Sequence, residues 1–294
     1  MRPGSVKHEA SKKISSDTNE VRFKNKRVSG LRLRSMKNRI TDLFKKKKAG
    51  ILSVFYTAGF PRLESTVPIA VALQEAGVDM IEIGIPFSDP VADGPTIQAS
   101  NKVALENGMN LKLILSQVEE IRRQKVTLPI ILMGYFNPVM QYGVERFIRD
   151  AASAGIDGLI IPDLPVDEFE ESYRELFQEA GLCNTFLISP TTSPDRIRRL
   201  DAATHGFIYA VSASSTTGAK SGFDDGQLQY FKSLKEMKLA NPYLIGFGIS
   251  NHQTFKTAAS FSAGVIVGSA FIKVLERTQD LTKDITQFVN DLKG

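Results

Sequence analysis

The chain has a single cysteine, Cys183, and only three histidines, His8, His205 and His252. One thiol excludes an internal disulfide and suits a reducing compartment. Cys183 opens an apolar run, so it reads as an inert thiol near the core rather than a nucleophile. The histidines are too scattered for a metal constellation of ordinary spacing, and no bound metal is expected. No apolar run approaches a membrane span, and the N-terminus lacks the apolar segment of a secretory signal. No Ser-His-Asp or Cys-His set is recognisable.

Charge is unevenly placed. The net charge of +5 comes from residues 1–35, where ten Lys and Arg face three Asp and Glu, leaving −2 for the remainder. This basic stretch has no aromatic interleaving and no nucleic-acid fold signature, which argues against nucleic-acid binding. Polar and poor in large apolar residues, it is expected to be a disordered extension. Three readings fit it: a transit peptide, translation assigned upstream of a true start at Met36, or a solvated tail. Immediately after it, residues 40–44 form an amphipathic stretch, and Lys45 to Lys48 suit the negative end of a short helix.

What the chain does contain is an alternation. Hydrophobic residues make up 42% and charged residues 23%, as in an ordinary globule with a sizeable core. Eight short apolar runs, 51–57, 80–85, 130–134, 158–161, 185–188, 207–211, 243–246 and 265–267, predict strands. Helical patterns fall between them at 67–75, 111–124, 144–154, 168–180, 195–200, 228–237, 253–259 and from 270 to about 292. Near-continuous rather than alternating apolar runs mark strands covered on both faces, as in parallel sheets. The joints Ala76-Gly77, Ala154-Gly155, Ala180-Gly181 and Ala263-Gly264 predict helices ending in left-handed glycine turns. Eight βα units over residues 36–294 predict a single α/β domain, a (β/α)8 barrel with an N-terminal helix. A doubly wound sheet is disfavoured because Thr57-Ala58-Gly59-Phe60-Pro61 lacks the G-x-G-x-x-G turn.

Barrel chemistry sits at the carboxyl ends of the strands. Glu82 interrupts an apolar strand, and a charge there is costly unless it is paired or used. Ser88, Asp89 and Asp93 follow on the next loop; Asp89-Pro90 reads as turn chemistry, whereas Asp93 lies across the loop from Glu82. Gly246-Phe247-Gly248-Ile249-Ser250 and Gly268-Ser269 follow strands seven and eight, where main-chain amides and a helix start can hold a phosphate. The small polar stretch 212–222 is expected to be a lid. Asp163 either orients a lid hydroxyl or caps a helix, and Tyr209 packs in the barrel with its hydroxyl within possible reach of Glu82. No predicted strand holds a lysine, which removes a Schiff-base aldolase, and histidine is too scarce for a zinc aldolase. Carboxylate acid–base chemistry on a phosphorylated substrate remains.

The run from Glu82 to Gln98, Glu-Ile-Gly-Ile-Pro-Phe-Ser-Asp-Pro-Val-Ala-Asp-Gly-Pro-Thr-Ile-Gln, resembles the tryptophan synthase alpha subunit family. Tyr135-Phe136-Asn137-Pro138, Pro162-Asp163-Leu164-Pro165, Thr217-Gly218 and the two glycine turns support the likeness over about residues 36–294. The resemblance implies retro-aldol cleavage of indole-3-glycerol phosphate to indole and glyceraldehyde 3-phosphate, the last step of tryptophan biosynthesis, by a carbon–carbon lyase. It makes Glu82 the acid–base group and Asp93 the partner of the indole nitrogen. Gly218, Gly248, Gly268 and Ser269 are implied to hold the phosphate. Phe55, Tyr209 and Phe247 line or support the indole pocket, and Thr217 orders over substrate. No cofactor is implied; pyridoxal phosphate belongs to a beta partner in an alpha2beta2 tetramer, faced by the loop after strand two and by the segments around Asn137 and Pro165. Ala213 and Ser215 depart from the family pattern, and the difference bears on lid closure. The implied location is the cytoplasm, or a plastid if the tail is a transit peptide. Two rival functions are a catalytically silent barrel acting as an allosteric subunit and a phosphosugar isomerase.

Overall fold

The computed structural model describes Met1, residues 38–212 and residues 222–294. Residues 2–35 of the expected extension, the start at Met36, and Ala213, Ser215, Thr217 and Gly218 lie outside the described residues. The strands are β1 Ile51–Thr57, β2 Met80–Gly84, β3 Ile130–Met133, β4 Gly158–Ile160, β5 Cys183–Thr185, β6 Leu187–Ile188, β7 Ile208–Val211, β8 Tyr243–Gly246 and β9 Gly264–Val267. All neighbouring pairs are parallel, in the order β5-β4-β3-β2-β1-β9-β8-β7-β6. The two ends of that order are consecutive in the chain. The segment expected as one strand at 185–188 begins two residues earlier and breaks at Phe186. Its first half pairs with β4 and its second with β7. Tyr209 N donates to Phe186 O at 3.0 Å, which carries the ladder across the break. The architecture is the expected (β/α)8 barrel.

Alternate residues of the strands point inward. Ile51, Met80, Ile131, Ile160, Cys183, Phe207, Tyr209, Leu244 and Ile266 form the interior, while a larger apolar layer packs between strands and helices. The N-terminal helix, Arg39–Lys46, closes the base by inserting Ile40 and Phe44 into that interior, with the Phe44 and Phe207 rings 5.7 Å apart. Each such burial is worth about 1.5–3 kcal/mol. Asn38 caps this helix through Ile40 N, and its amide donates to the carbonyls of Asp157 and Gly181.

Gly77, Gly155 and Gly181 take the left-handed conformation expected at the helix ends. Gly264 does not: it begins β9, and its missing Cβ lets the Ile51 backbone approach. The final helix is two, Ser269–Arg277 and Leu281–Lys293, because Asp280 turns away to cap the second through Lys283 N. Helices Pro95–Glu106 and Phe136–Tyr142, which were not expected, follow β2 and β3.

Candidate active site

Glu82 lies on β2, paired in register with Phe55 on β1 and Ile131 on β3, and is 0% exposed. Its Oε1 accepts a 2.7 Å hydrogen bond from Ser53 Oγ, whereas its Oε2 has no hydrogen-bond partner. Burial raises its pKa from 4.5 to about 8, with the Ser53 bond pulling the other way. At that value both protonation states are populated near neutral pH, which suits proton exchange.

Above it opens a cavity of about 900 Å³ lined by Phe55, Asp93, Tyr209, Phe247, Gly248, Gly268 and Ser269, among others. Seven of the ten residues singled out from the sequence thus border one space, with Glu82 beside it and Thr217 and Gly218 outside the described residues. The cavity reaches down to Ile266, the register partner of Ser53; Ser53 and Glu82 do not line it themselves, and Glu82 adjoins it through its register partner Phe55. Two inward glycines make this room. A Cβ at Gly84 would run into the Phe55 ring, and one at Gly246 into the Tyr209 ring. Tyr209 is fully enclosed, and burial and the charges of Glu82 and Asp93 raise its pKa. It forms no hydrogen bond with Glu82; the two interact through charge.

Asp93 sits on the loop between β2 and the helix Pro95–Glu106. Tyr135 OH donates to its Oδ2 at 3.3 Å and accepts from Ala92 N at 2.9 Å, so one phenol fixes both the carboxylate and the loop backbone. The Phe87 and Tyr135 rings, 5.2 Å apart, brace the same loop. Burial raises the Asp93 pKa to about 6 despite the Tyr135 bond. Asp89 is exposed and takes the Ser88 hydroxyl, as turn chemistry requires. Asp163 caps the helix Phe136–Tyr142 by accepting from Phe136 N at 2.8 Å.

On the opposite wall, Phe247 and Gly248 both have positive φ, 66° and 75°. The strained Phe247 is held from behind, where Ser212 Oγ donates to its carbonyl at 2.7 Å. Its ring meets Tyr209 edge-on at 6.2 Å. Gly268 precedes the helix Ser269–Arg277, whose positive end faces the cavity. A Cβ at Gly268 would find Phe55 at an ordinary 3.5 Å, so packing alone does not require glycine there. Ser212, Gly222 and Phe223, which flank residues 213–221, also line the cavity.

Sequence reasoning missed the structural parts played by Ser53 and Tyr135, and the lining residues Ile97, Met133, Pro190 and Lys273. Ser53 was discoverable: it stands two residues before Phe55 and shares its face of β1. Cys183 is buried with its pKa pushed up to about 12, the state of an unreactive thiol. Among the described residues no three His, Cys, Asp or Glu side chains gather as metal ligands.

A parallel barrel with a buried carboxyl of raised pKa and, at the same mouth, a cavity lined by glycine turns and a helix start has the arrangement of a (β/α)8-barrel enzyme. Comparison with known proteins narrows the class. The sequence model of the tryptophan synthase alpha chain family matches residues 41–293, and the chain belongs to that family, a family of lyases. It is 54% identical over 255 residues to the tryptophan synthase alpha chain of Flavobacterium psychrophilum, covering 87% of this chain and 99% of that one. It is 50% identical to the alpha chain of Flavobacterium johnsoniae, covering 87% and 100%. Among solved structures it resembles Mycobacterium tuberculosis tryptophan synthase, with TM-score 0.79 at 32% identity over 87% of this chain and 97% of that chain. It also resembles the tryptophan synthase complex from Pyrococcus furiosus, with TM-score 0.75 at 34% identity over 84% and 98%.

Proposed function

We infer that this chain cleaves indole-3-glycerol phosphate to indole and glyceraldehyde 3-phosphate, acting as a carbon–carbon lyase in the last step of tryptophan biosynthesis. The observation that carries the reading is Glu82: a buried carboxyl with one oxygen unpartnered, beside Phe55 in the wall of a cavity that Gly248, Gly268 and the helix start at Ser269 also line. Residues 36–294 serve as the catalytic domain, and residues 1–35 as a basic extension.

The chemistry follows from the groups available. Protonated Glu82 gives its proton to indole C3, and positive charge develops toward the ring nitrogen. Asp93 accepts the indole N–H and stabilises that charge in the transition state. The side-chain hydroxyl then returns a proton to Glu82 as its oxygen becomes the aldehyde carbonyl. The carbon–carbon bond breaks, and its electron pair restores the aromatic ring. Phe55, Tyr209 and Phe247 supply the apolar walls for the indole. The amides of Gly218, Gly248, Gly268 and Ser269 hold the phosphate, and Thr217 orders over the bound substrate. This chain needs no cofactor for these steps.

A beta partner containing pyridoxal phosphate, in an alpha2beta2 assembly within the cytoplasm, receives the indole. The exposed rim supports that docking: Val91 is 87% and Met140 58% exposed, with Asn137 and Pro165 also at the surface. The Tyr135–Ala92 and Asp163–Phe136 bonds tie these segments to one another. An indole-release assay on indole-3-glycerol phosphate, with and without a beta chain, tests the reading. Release above background in both, larger with the partner, is expected; stimulation of the partner without any indole release would leave only an allosteric subunit.

A further inference from the structure

Resting on the reading of Glu82 as the acid–base group, we propose that Ser53 is a positioning residue that locks one oxygen of Glu82 and thereby makes Oε2 the single atom through which the proton is exchanged. Ser53 is fully buried on β1, and its hydroxyl donates to Oε1 at 2.7 Å. The Cα register places it beside Met80 on one side and Ile266 on the other, both buried and apolar. With Oε1 already accepting a proton, the carboxyl's own proton belongs on Oε2. A buried carboxylate oxygen without a partner is costly unless it is protonated or a ligand meets it. The register partner of Glu82, Phe55, lines the cavity, so a substrate carbon or hydroxyl that enters beside that ring is placed to supply the missing contact.

The same bond tunes occupancy. Hydrogen bonding to a carboxylate favours its ionised form, against the desolvation that raises the Glu82 pKa to about 8. The other titratable groups facing Glu82 are few. Tyr209 from β7 feels the charges of both Glu82 and Asp93 and stays a neutral phenol, and Asp93 stands across the cavity on its loop. Phe55 and Ile131 flank Glu82 in register and carry no charge. Ser53 is therefore the one direct hydrogen-bond donor to this carboxyl among the described residues.

The test compares the full chain with Ser53→Ala, Ser53→Thr and Glu82→Gln. Indole release is followed across pH, and Glu82 protonation is read in the unliganded protein by the carboxyl stretch or by carbon-labelled glutamate NMR. Ser53→Ala is expected to move both the Glu82 titration and the limb of the pH–rate profile it carries upward by about one pH unit. It lowers kcat about tenfold with KM little changed, and Ser53→Thr, which keeps the hydroxyl, restores both. A Ser53→Ala titration and profile that coincide with those of the starting protein overturn the proposal. So does a loss that Ser53→Thr fails to restore. The two levels separate cleanly: if Glu82→Gln still cleaves at full rate, the reading of Glu82 fails. If Glu82→Gln is inactive while Ser53→Ala keeps its pH profile, only the role of Ser53 falls.

Discussion

At the base of the barrel Asp157 accepts hydrogen bonds from Arg39, Arg122 and Ile130 N, and Asp79 from Lys47 and Leu52 N; at the mouth Glu82 has one hydroxyl and Asp93 one phenol. All four carboxyls are at least partly buried, and two of them, Asp157 and Glu82, almost completely. Those at the base meet cations and main-chain amides, so their charge is compensated in place and they bind the helix Arg39–Lys46 and the joints before β2 and β4 together. Those at the mouth are left short of partners, and burial lifts both pKa values. Carboxyls thus build structure where they are satisfied, and those left unsatisfied are the ones to which the proposed chemistry is assigned.

The sharpest way to break this contrast is Glu82→Gln. The amide keeps the shape and removes the proton, so indole release is expected to fall by about 10³-fold, within the range general acid–base groups supply. Binding of glycerol phosphate, measured by calorimetry, should stay within about twofold. At the other end, Asp157→Ala strips Arg122 and Arg39 of their partner and leaves Ile130 N unpaired. It should cost about 3–5 kcal/mol in urea unfolding while the activity per folded molecule is unchanged. Equal damage to activity at both ends would erase the distinction.

The contrast also has a sign in pH. Because the folded pKa of Glu82 is raised from 4.5 to about 8, its neutral form is favoured by folding. The stability this gives is complete below about pH 4.5 and is lost as pH rises through 8, a change of a few kcal/mol. Asp93 adds a smaller loss between about pH 4 and 6. Denaturant midpoints across pH 5–8 should therefore decline in the starting protein, and Glu82→Gln should flatten the decline. A smaller effect is expected for Tyr135→Phe, which removes the donor to Asp93 and the acceptor for Ala92 N. Indole release should drop about tenfold, and a single-turnover measurement shows whether the loss lies in the bond-breaking step.

Much of the barrel is legible in the sequence because strands buried on both faces have to be apolar throughout. The failures have physical causes. The fifth strand carries Asn184 and serves both neighbours across the closure, so its apolar run reads as shorter than the paired segment. The helix Pro95–Glu106 buries Ile97, Ser100, Asn101 and Ala104, a face too small and polar to show a helical period. In Phe136–Tyr142, Pro138 looks like a breaker, yet it falls in the first turn, where its missing N–H has no partner to lose. Within the site, Glu82 is visible as a charge inside a strand and Asp93 by its motif. Ser53 and Tyr135 are bland in sequence and acquire their parts only through strand register and loop packing. Resemblance contributed the reaction itself, which no spacing of residues specifies.

The finest test of the mouth is Gly268→Ala. At the base, a glycine such as Gly264 is demanded by the neighbouring backbone, and any side chain there displaces β1. At Gly268 the nearest atom to an added Cβ is a Phe55 carbon at 3.5 Å, and φ is −120°, outside the left-handed range that demands glycine. The fold should accept the change at a cost of about 1 kcal/mol, the ordinary size for a single substitution. If the position is glycine so that a phosphate can approach the amides at the start of Ser269–Arg277, the added methyl should weaken glycerol phosphate binding about fivefold, the worth of one hydrogen bond. KM should rise with it, and kcat should hold, because the phosphate does not react. A drop in kcat at constant KM would instead mean that the methyl acts through Phe55 on the indole side of the cavity, and that the cradle lies elsewhere on this wall.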